Sequence, residues 1–186
     1  MRIITVTVDT SNWIAWLHKC ESYDSVCKML DWHKNKLFEL WNTSRVVQDS
    51  AGMDSGQSAN LQRLFKDYAI RMSSCPLRWN YSRWNGPDVF PGPATEHRPL
   101  QQIIEFRKLI PEPTSLPKDQ IGNRLSNKLG DYDALKDHYE KNRDVFVTLD
   151  RHDIFHVNKR PLYKQKLGLI ILDPREFVAS YGSSLV

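Results

Sequence analysis

The chain is poor in the residues and patterns that mark several protein classes. Only 8 of its 186 residues are glycine and only 3 are cysteine. Three is an odd number, and their spacing fits no disulfide framework, which favours free thiols in a reducing compartment. No apolar run approaches the roughly 20 residues of a membrane-spanning helix, and the first ten residues resemble a strand more than a signal peptide. We therefore expect a soluble, cytoplasmic protein with no membrane partner.

The sequence also lacks the short motifs of three large enzyme groups. It has no glycine-rich phosphate loop of the dinucleotide or P-loop kind, which argues against a cofactor-dependent oxidoreductase and against an NTPase. The Gly-x-Ser-x-Gly elbow of serine hydrolases is absent as well. Residues His18, Cys20, Cys27 and His33 lie at no usual zinc-site spacing, and core packing explains Cys27 better.

Charge is modest overall but unevenly distributed. The net charge is +4, from 26 Lys and Arg against 22 Asp and Glu. Residues 60–128 carry eleven basic and six acidic side chains, and residues 151–166 carry five and one, which leaves a net −5 on the rest of the chain. Such segregation suits a basic rim that binds a polyanion around an acidic centre, although a solvated surface gives the same counts.

Strand-like and helix-like segments alternate along the chain. This alternation predicts a three-layer α/β/α Rossmann-like sandwich around a mostly parallel sheet. We expect one domain over residues 1–186, with residues 56–128 as an insertion or an extended helical region. The predicted strands are 2–8, 145–149 and 168–172, with 37–41 as strand or helix, and the main predicted helices are 57–72, 99–110, 118–129, 131–143 and the one that begins at Asp173-Pro174.

Two of the clearest predicted strands end in aspartate, at Asp9 and Asp150. Ligands of a parallel sheet bind beyond the carboxyl ends of its strands, so we expect these two carboxylates to face one region. Asp131 and Asp133, at the predicted start of a helix, are positioned to join them. For each acid, the alternative role is a helix cap or charge stabilisation at a helix N-terminus.

Carboxylates held together repel one another, and this raises their pKa values unless a cation lies among them. Oxygen ligands alone suit hard ions such as Mg²⁺ or Mn²⁺. These ions support the hydrolysis of phosphodiesters by activating water and neutralising phosphate oxygens. Basic flanks then make a nucleic acid the natural substrate.

These segments resemble the motifs of the PIN-domain family, small metal-dependent nucleases. The opening VTVDTSNWI is similar to the first motif, and TSRVVQDS is similar to the second, with Asp49 where the family more often has Glu. The stretch from Asp131 through DVFVTLD resembles the third and fourth motifs, and GLIILDPREF resembles the closing strand and helix. The resemblance covers about residues 1–55 and 129–180.

The resemblance implies a PIN-like fold and an Mg²⁺- or Mn²⁺-dependent endoribonuclease that hydrolyses single-stranded RNA. A toxin of a toxin–antitoxin pair, with an antitoxin protein as partner, and a homodimer are family tendencies rather than deductions from these residues. Asp133 replaces Asp131 if the third acid is shifted by one helical step, and a helix cap is the alternative role of Asp153. The implied catalytic acids are Asp9, Asp49, Asp131 and Asp150, the implied metal ligands are Asp9, Asp131, Asp150 and Asp153, and the supporting hydroxyls are Ser11 and Thr148.

Two basic segments are candidates for contact with RNA. The run from Arg78 to Trp84 alternates aromatic and basic side chains, as single-strand binders do, and Arg78, Trp79 and Arg83 are its candidate contacts. Packing of the aromatic rings against the protein is the alternative role of this run. Lys159 and Arg160 follow the strand that ends at Asp150 and are the other candidate contacts. The alternative is that they belong to a solvated helix face, which would show the same sequence pattern.

Two other functions compete with the ribonuclease. The first is a catalytically inactive PIN-like module that binds RNA or a protein. The second, which is weaker, is a DNA nuclease of the related flap type.

Overall fold

A computed structural model describes residues 2–50, 53–73, 98–113 and 123–185. Within these residues, five parallel strands form one sheet in the order β3-β2-β1-β4-β5. The central strand β1 pairs with β2 on one side and with β4 on the other, so that Val6 lies opposite both Leu40 and Val145. The strands are β1 (Ile4–Val8), β2 (Phe38–Thr43), β3 (Arg71–Ser73), β4 (Val145–Val147) and β5 (Ile170–Leu172).

Helices of the described ranges cover both faces of the sheet. None of them is long and apolar enough to cross a membrane. A short 3₁₀ helix, Asp153–Phe155, follows β4. The α-helices are α1 (Thr10–Leu17), α2 (Tyr23–Lys34), α3 (Arg45–Ser50), α4 (Ser55–Asp67), α5 (Leu100–Leu109), α6 (Asn123–Glu140), α7 (Arg160–Leu167) and α8 (Pro174–Leu185).

Two hydrophobic cores lie on opposite faces of the sheet. Successive strand residues point to opposite faces, and so Val145 and Val147 enter one core whereas Phe146 enters the other. Helices α1, α2, α4 and α8 contribute to the first core, and α5, α6 and α7 contribute to the second. The predicted three-layer α/β/α architecture is therefore confirmed.

The predicted start of the last helix is also confirmed, and its cause is a reciprocal cap. Asp173 Oδ1 accepts a hydrogen bond from Glu176 N at 2.8 Å, while Glu176 Oε2 accepts one from Asp173 N at 2.7 Å. This arrangement satisfies two backbone donors at the helix start. Pro174, the first residue of α8, needs no donor partner there.

The helix predicted over 57–72 is wrong in its last five residues. Helix α4 begins at Ser55, where the Asp54 side chain caps it, and it ends at Asp67. The chain then turns through Ala69, whose φ is +50°, and forms β3 beside β2. Residues 56–128 therefore contribute α4, α5 and the edge strand of the sheet itself.

The helix boundary predicted at Gly130 is wrong as well, because α6 runs straight through it. A Cβ atom at Gly130 would collide with Nε of Arg45, so glycine permits a close approach here and does not end the helix. Asp131 and Asp133 consequently lie inside a helix. Charge stabilisation of a helix N-terminus does not explain them.

A buried polar network fixes the C-terminal half of α6 on the sheet. Asp137 accepts hydrogen bonds from Arg143 Nη1, at 2.8 Å, and from the hydroxyl of Ser73 on β3. Thr7 of β1 contacts both Arg143, at 3.2 Å, and His138 Nδ1, at 2.8 Å. Burial and the nearby Arg143 charge hold the pKa of His138 well below its usual value, so that its ring stays neutral. The network sets the position of the helix that carries Asp131.

Candidate functional site

The site begins at Asp9, directly after the central strand. Asp9 occupies the N-cap position of α1, but its side chain makes no capping hydrogen bond. Its Oδ2 instead accepts hydrogen bonds from Ser11 Oγ at 2.7 Å and from Thr148 Oγ1 at 2.8 Å. Burial raises the pKa of Asp9, and these two hydroxyls partly oppose the rise. The helix-cap alternative therefore does not describe Asp9.

Thr148 connects Asp9 to the end of the neighbouring strand. Its hydroxyl donates to Asp9 and accepts from the backbone N of Asp150 at 3.0 Å. Asp150 Oδ1 accepts from the backbone N of His152 at 2.8 Å, so one of its oxygens serves the local turn. Since β1 and β4 are adjacent and parallel, both aspartates lie at the same edge of the sheet.

Asp131 approaches this edge from α6. Burial raises the pKa of Asp131 to about 8, and the negative charges of Asp9, Asp150 and, to a lesser degree, Asp49 add to the rise. The positive charge of Arg45 acts in the opposite direction. Three acids from other parts of the chain thus act on Asp131. We call Asp9, Asp49, Asp131 and Asp150 the acidic cluster.

The acidic cluster contains a cation of its own. Arg45 Nε donates to Asp49 Oδ1 at 2.8 Å, and the other oxygen of Asp49 accepts from the hydroxyl of Thr10 at 2.8 Å. The same Arg45 side chain lies against Gly130, one residue before Asp131. Sequence analysis missed Arg45 and Thr10. The spacing of Arg45 and Asp49, four residues apart on a helix, was the available signal for the pair.

The donor set fits a hard divalent cation in its chemistry. Its acids offer carboxylate oxygens, and their mutual repulsion is the charge excess that such a cation relieves. In the described residues, however, no three His, Cys, Asp or Glu side chains stand ready to hold a metal ion. Because Arg45 engages Asp49, the acids of the cluster that could serve as ligands are Asp9, Asp131 and Asp150.

The two further predicted acids have different surroundings. Asp153 is exposed in the 3₁₀ helix and pairs with Lys128 at 3.2 Å. Asp133 is buried on α6, two residues after Asp131, and the alternative register for the third acid stays a prediction.

The predicted RNA contacts have different outcomes. Lys159 is exposed at the start of α7. Arg160 differs from the predicted surface contact, because its guanidinium is buried. It donates to the carbonyls of Phe155 and Asp150 and to the carboxylate of Glu176, at 3.1 to 3.2 Å. It therefore holds the turn after Asp150 instead of facing solvent. Arg78, Trp79 and Arg83 lie outside the described residues.

Comparison with known proteins identifies no family for this chain. No protein-family model matches the chain, and a search of curated proteins finds no match. The resemblance to PIN domains therefore stays a prediction from the quoted motifs.

Proposed function

We propose that this protein is an Mg²⁺- or Mn²⁺-dependent endoribonuclease of PIN type that hydrolyses phosphodiester bonds of single-stranded RNA. The observation that carries the proposal is the convergence of four acids, from the ends of β1 and β4 and from α3 and α6, on one edge of the sheet. This is the edge where parallel sheets bind ligands. The free thiols of Cys20 and Cys27 suit a cytoplasmic setting.

The chain's own residues have distinct roles in this proposal. Asp9, Asp131 and Asp150 hold the cation, and Ser11 and Thr148 fix the position of the Asp9 carboxylate by donating to it. When bound, a divalent cation supplies positive charge to the scissile phosphate and lowers the pKa of a bound water.

Two basic side chains lie beside the acids and suit the RNA backbone. Lys128 and Lys159 line a cavity that also has Asp131 in its wall. Positive charge at this place attracts phosphates toward the site. An antitoxin protein and a second copy of the chain stay expected partners on the ground of the resemblance alone.

The test compares the wild type with Asp9→Asn and Asp150→Asn on end-labelled single-stranded RNA in the presence of Mn²⁺. We expect each substitution to slow cleavage by about 100-fold or more, since it removes a ligand oxygen's charge from the reacting site. Asp67→Asn, at an exposed position that ends α4, is the matched control and should cleave normally. Circular dichroism checks that each variant is folded.

Two results of this assay contradict the proposal. The first is an Asp9→Asn protein that cuts RNA as fast as the wild type. The second is faster cleavage of a DNA oligonucleotide of the same sequence, which favours the flap-type DNA nuclease.

One observation favours a second function, a catalytically inactive PIN-like module that binds RNA or a protein. Arg45 already pairs with Asp49, and the described acids do not enclose an ion as they stand. A titration with Mn²⁺ separates the two functions. An increase in melting temperature supports the nuclease, whereas RNA binding with an unchanged melting temperature supports the module.

A further inference from the structure

A cavity of about 310 Å³ adjoins the acidic cluster. It lies between the end of α5, helix α6 and the start of α7, and Asp131 forms part of its wall. Its volume is at the lower end of the range of small-ligand sites. The cavity and the cluster share Asp131, and a group bound in the cavity is therefore next to the cluster.

The walls of the cavity combine apolar surfaces with charged side chains of both signs. Ile110 and Pro111 are on the α5 side, and Ile154 lies beyond the Asp150 turn. The charged lining consists of two lysines, Lys128 and Lys159, and two aspartates, Asp131 and Asp153. Lys128 already pairs with Asp153, and the apolar part of the lining suits the faces of a flat, uncharged group.

Tyr163 of α7 supplies a polar group to this lining. Its side chain is only 3% exposed and it packs within the second core. Burial alone raises the pKa of its phenol, and no described residue hydrogen-bonds its hydroxyl. This hydroxyl is therefore available to donate to, or accept from, a ligand in the cavity.

We propose that this cavity binds the base of the nucleotide next to the cleaved phosphate of RNA, and that it sets a base preference for cleavage. The inference rests on the proposed function for its substrate. Apolar walls contact the faces of the base, and Tyr163 reads a polar atom on its edge. The shared wall at Asp131 places the attached phosphate at the acidic cluster, and the exposed Lys159 offsets part of its charge.

Equilibrium binding of small probes to the full chain in EDTA tests this site without relying on cleavage. The probes are AMP, GMP, CMP, UMP and ribose 5-phosphate, which lacks a base, and calorimetry gives the affinities. We expect at least one nucleotide to bind about tenfold or more tightly than ribose 5-phosphate. We also expect affinity to differ among the four bases.

Three variants locate the site. Ile154→Trp fills the cavity and should abolish nucleotide binding, while Leu162→Trp, at a position of α7 that is 41% exposed, is the matched control and should bind normally. Tyr163→Phe keeps the ring and removes the hydroxyl, so it should reduce discrimination among the bases about five- to tenfold. Thermal unfolding verifies that each variant is folded.

Each result bears on one proposal. Equal binding of ribose 5-phosphate and the nucleotides, or no nucleotide binding at all, overturns the base site. Unchanged discrimination in Tyr163→Phe overturns the assigned role of the hydroxyl. If nucleotides bind and Ile154→Trp blocks them, yet the wild type does not cleave RNA in Mn²⁺, the base site stands and the nuclease proposal fails.

Discussion

Replacing Asp131 by asparagine should stabilise the metal-free protein, and more so as the pH rises. The Asp131 carboxyl is buried among like charges, which raises its pKa from 3.8 to about 8. Between these pH values the folded chain binds a proton at this group that the unfolded chain has released. The free energy of unfolding of the wild type therefore falls as the pH rises through this range. Asparagine has the shape of the protonated acid and carries no such penalty.

The size of the effect follows from the pKa shift. One pKa unit corresponds to about 1.4 kcal/mol, so the slope is about −1.4 kcal/mol per pH unit. From pH 4 to pH 8 this gives an upper limit of about 6 kcal/mol for the group. We expect Asp131→Asn and the wild type to be equally stable near pH 4, and the variant to be more stable at pH 8.

Urea unfolding at several pH values in EDTA measures this difference. Asp67→Asn serves as the control for a lost surface charge and should follow the wild type throughout. Adding Mn²⁺ at pH 8 should stabilise the wild type more than Asp131→Asn, since a cation relieves the same repulsion. A variant that is no more stable than the wild type at pH 8 refutes the crowding of acids at this edge.

Three further substitutions test the surroundings of the site. In a helix interior, alanine normally raises the free energy of unfolding by about 1 kcal/mol over glycine. Gly130→Ala should instead lower it by about 1–3 kcal/mol, measured by urea unfolding, because the new Cβ would displace Arg45. A more stable variant contradicts the close approach. Thr148→Val keeps the shape of the side chain and removes the hydroxyl that donates to Asp9. The affinity for Mn²⁺, measured by titration, should fall about 10–100-fold. An unchanged affinity contradicts a supporting role for Thr148. Arg143→Met leaves buried Asp137 without its ion pair and should cost about 3–5 kcal/mol of unfolding free energy, whereas a loss below about 1 kcal/mol shows that the pair is not needed.

The sequence was sufficient for the parts of the fold that local patterns determine. Strands β1, β4 and β5 have short β-branched or aromatic runs, and Asp173-Pro174 has the chemistry of a helix start. Parallel strands bring their carboxyl ends to one edge, and for that reason Asp9 and Asp150 could be expected to lie together.

The parts that sequence reasoning missed depend on contacts between distant residues. Gly130 looks like a helix terminator until Arg45, from another helix, is seen to lie against it. The three residues of β3 gain their strand conformation from pairing with β2 and show little pattern alone. The sequence around Arg160 is typical of a solvated helix face. Arg160 is internal because it finds three acceptors that come together only in the folded chain.

The crossing of Arg45 over Gly130 has a consequence for how the protein is made. The Arg45 guanidinium is a positive charge beside the acids that belongs to the chain itself and needs no bound ion. The edge of the sheet that carries the acids can therefore form without a divalent ion. In the proposed nuclease, the ion would then join an edge that is already assembled.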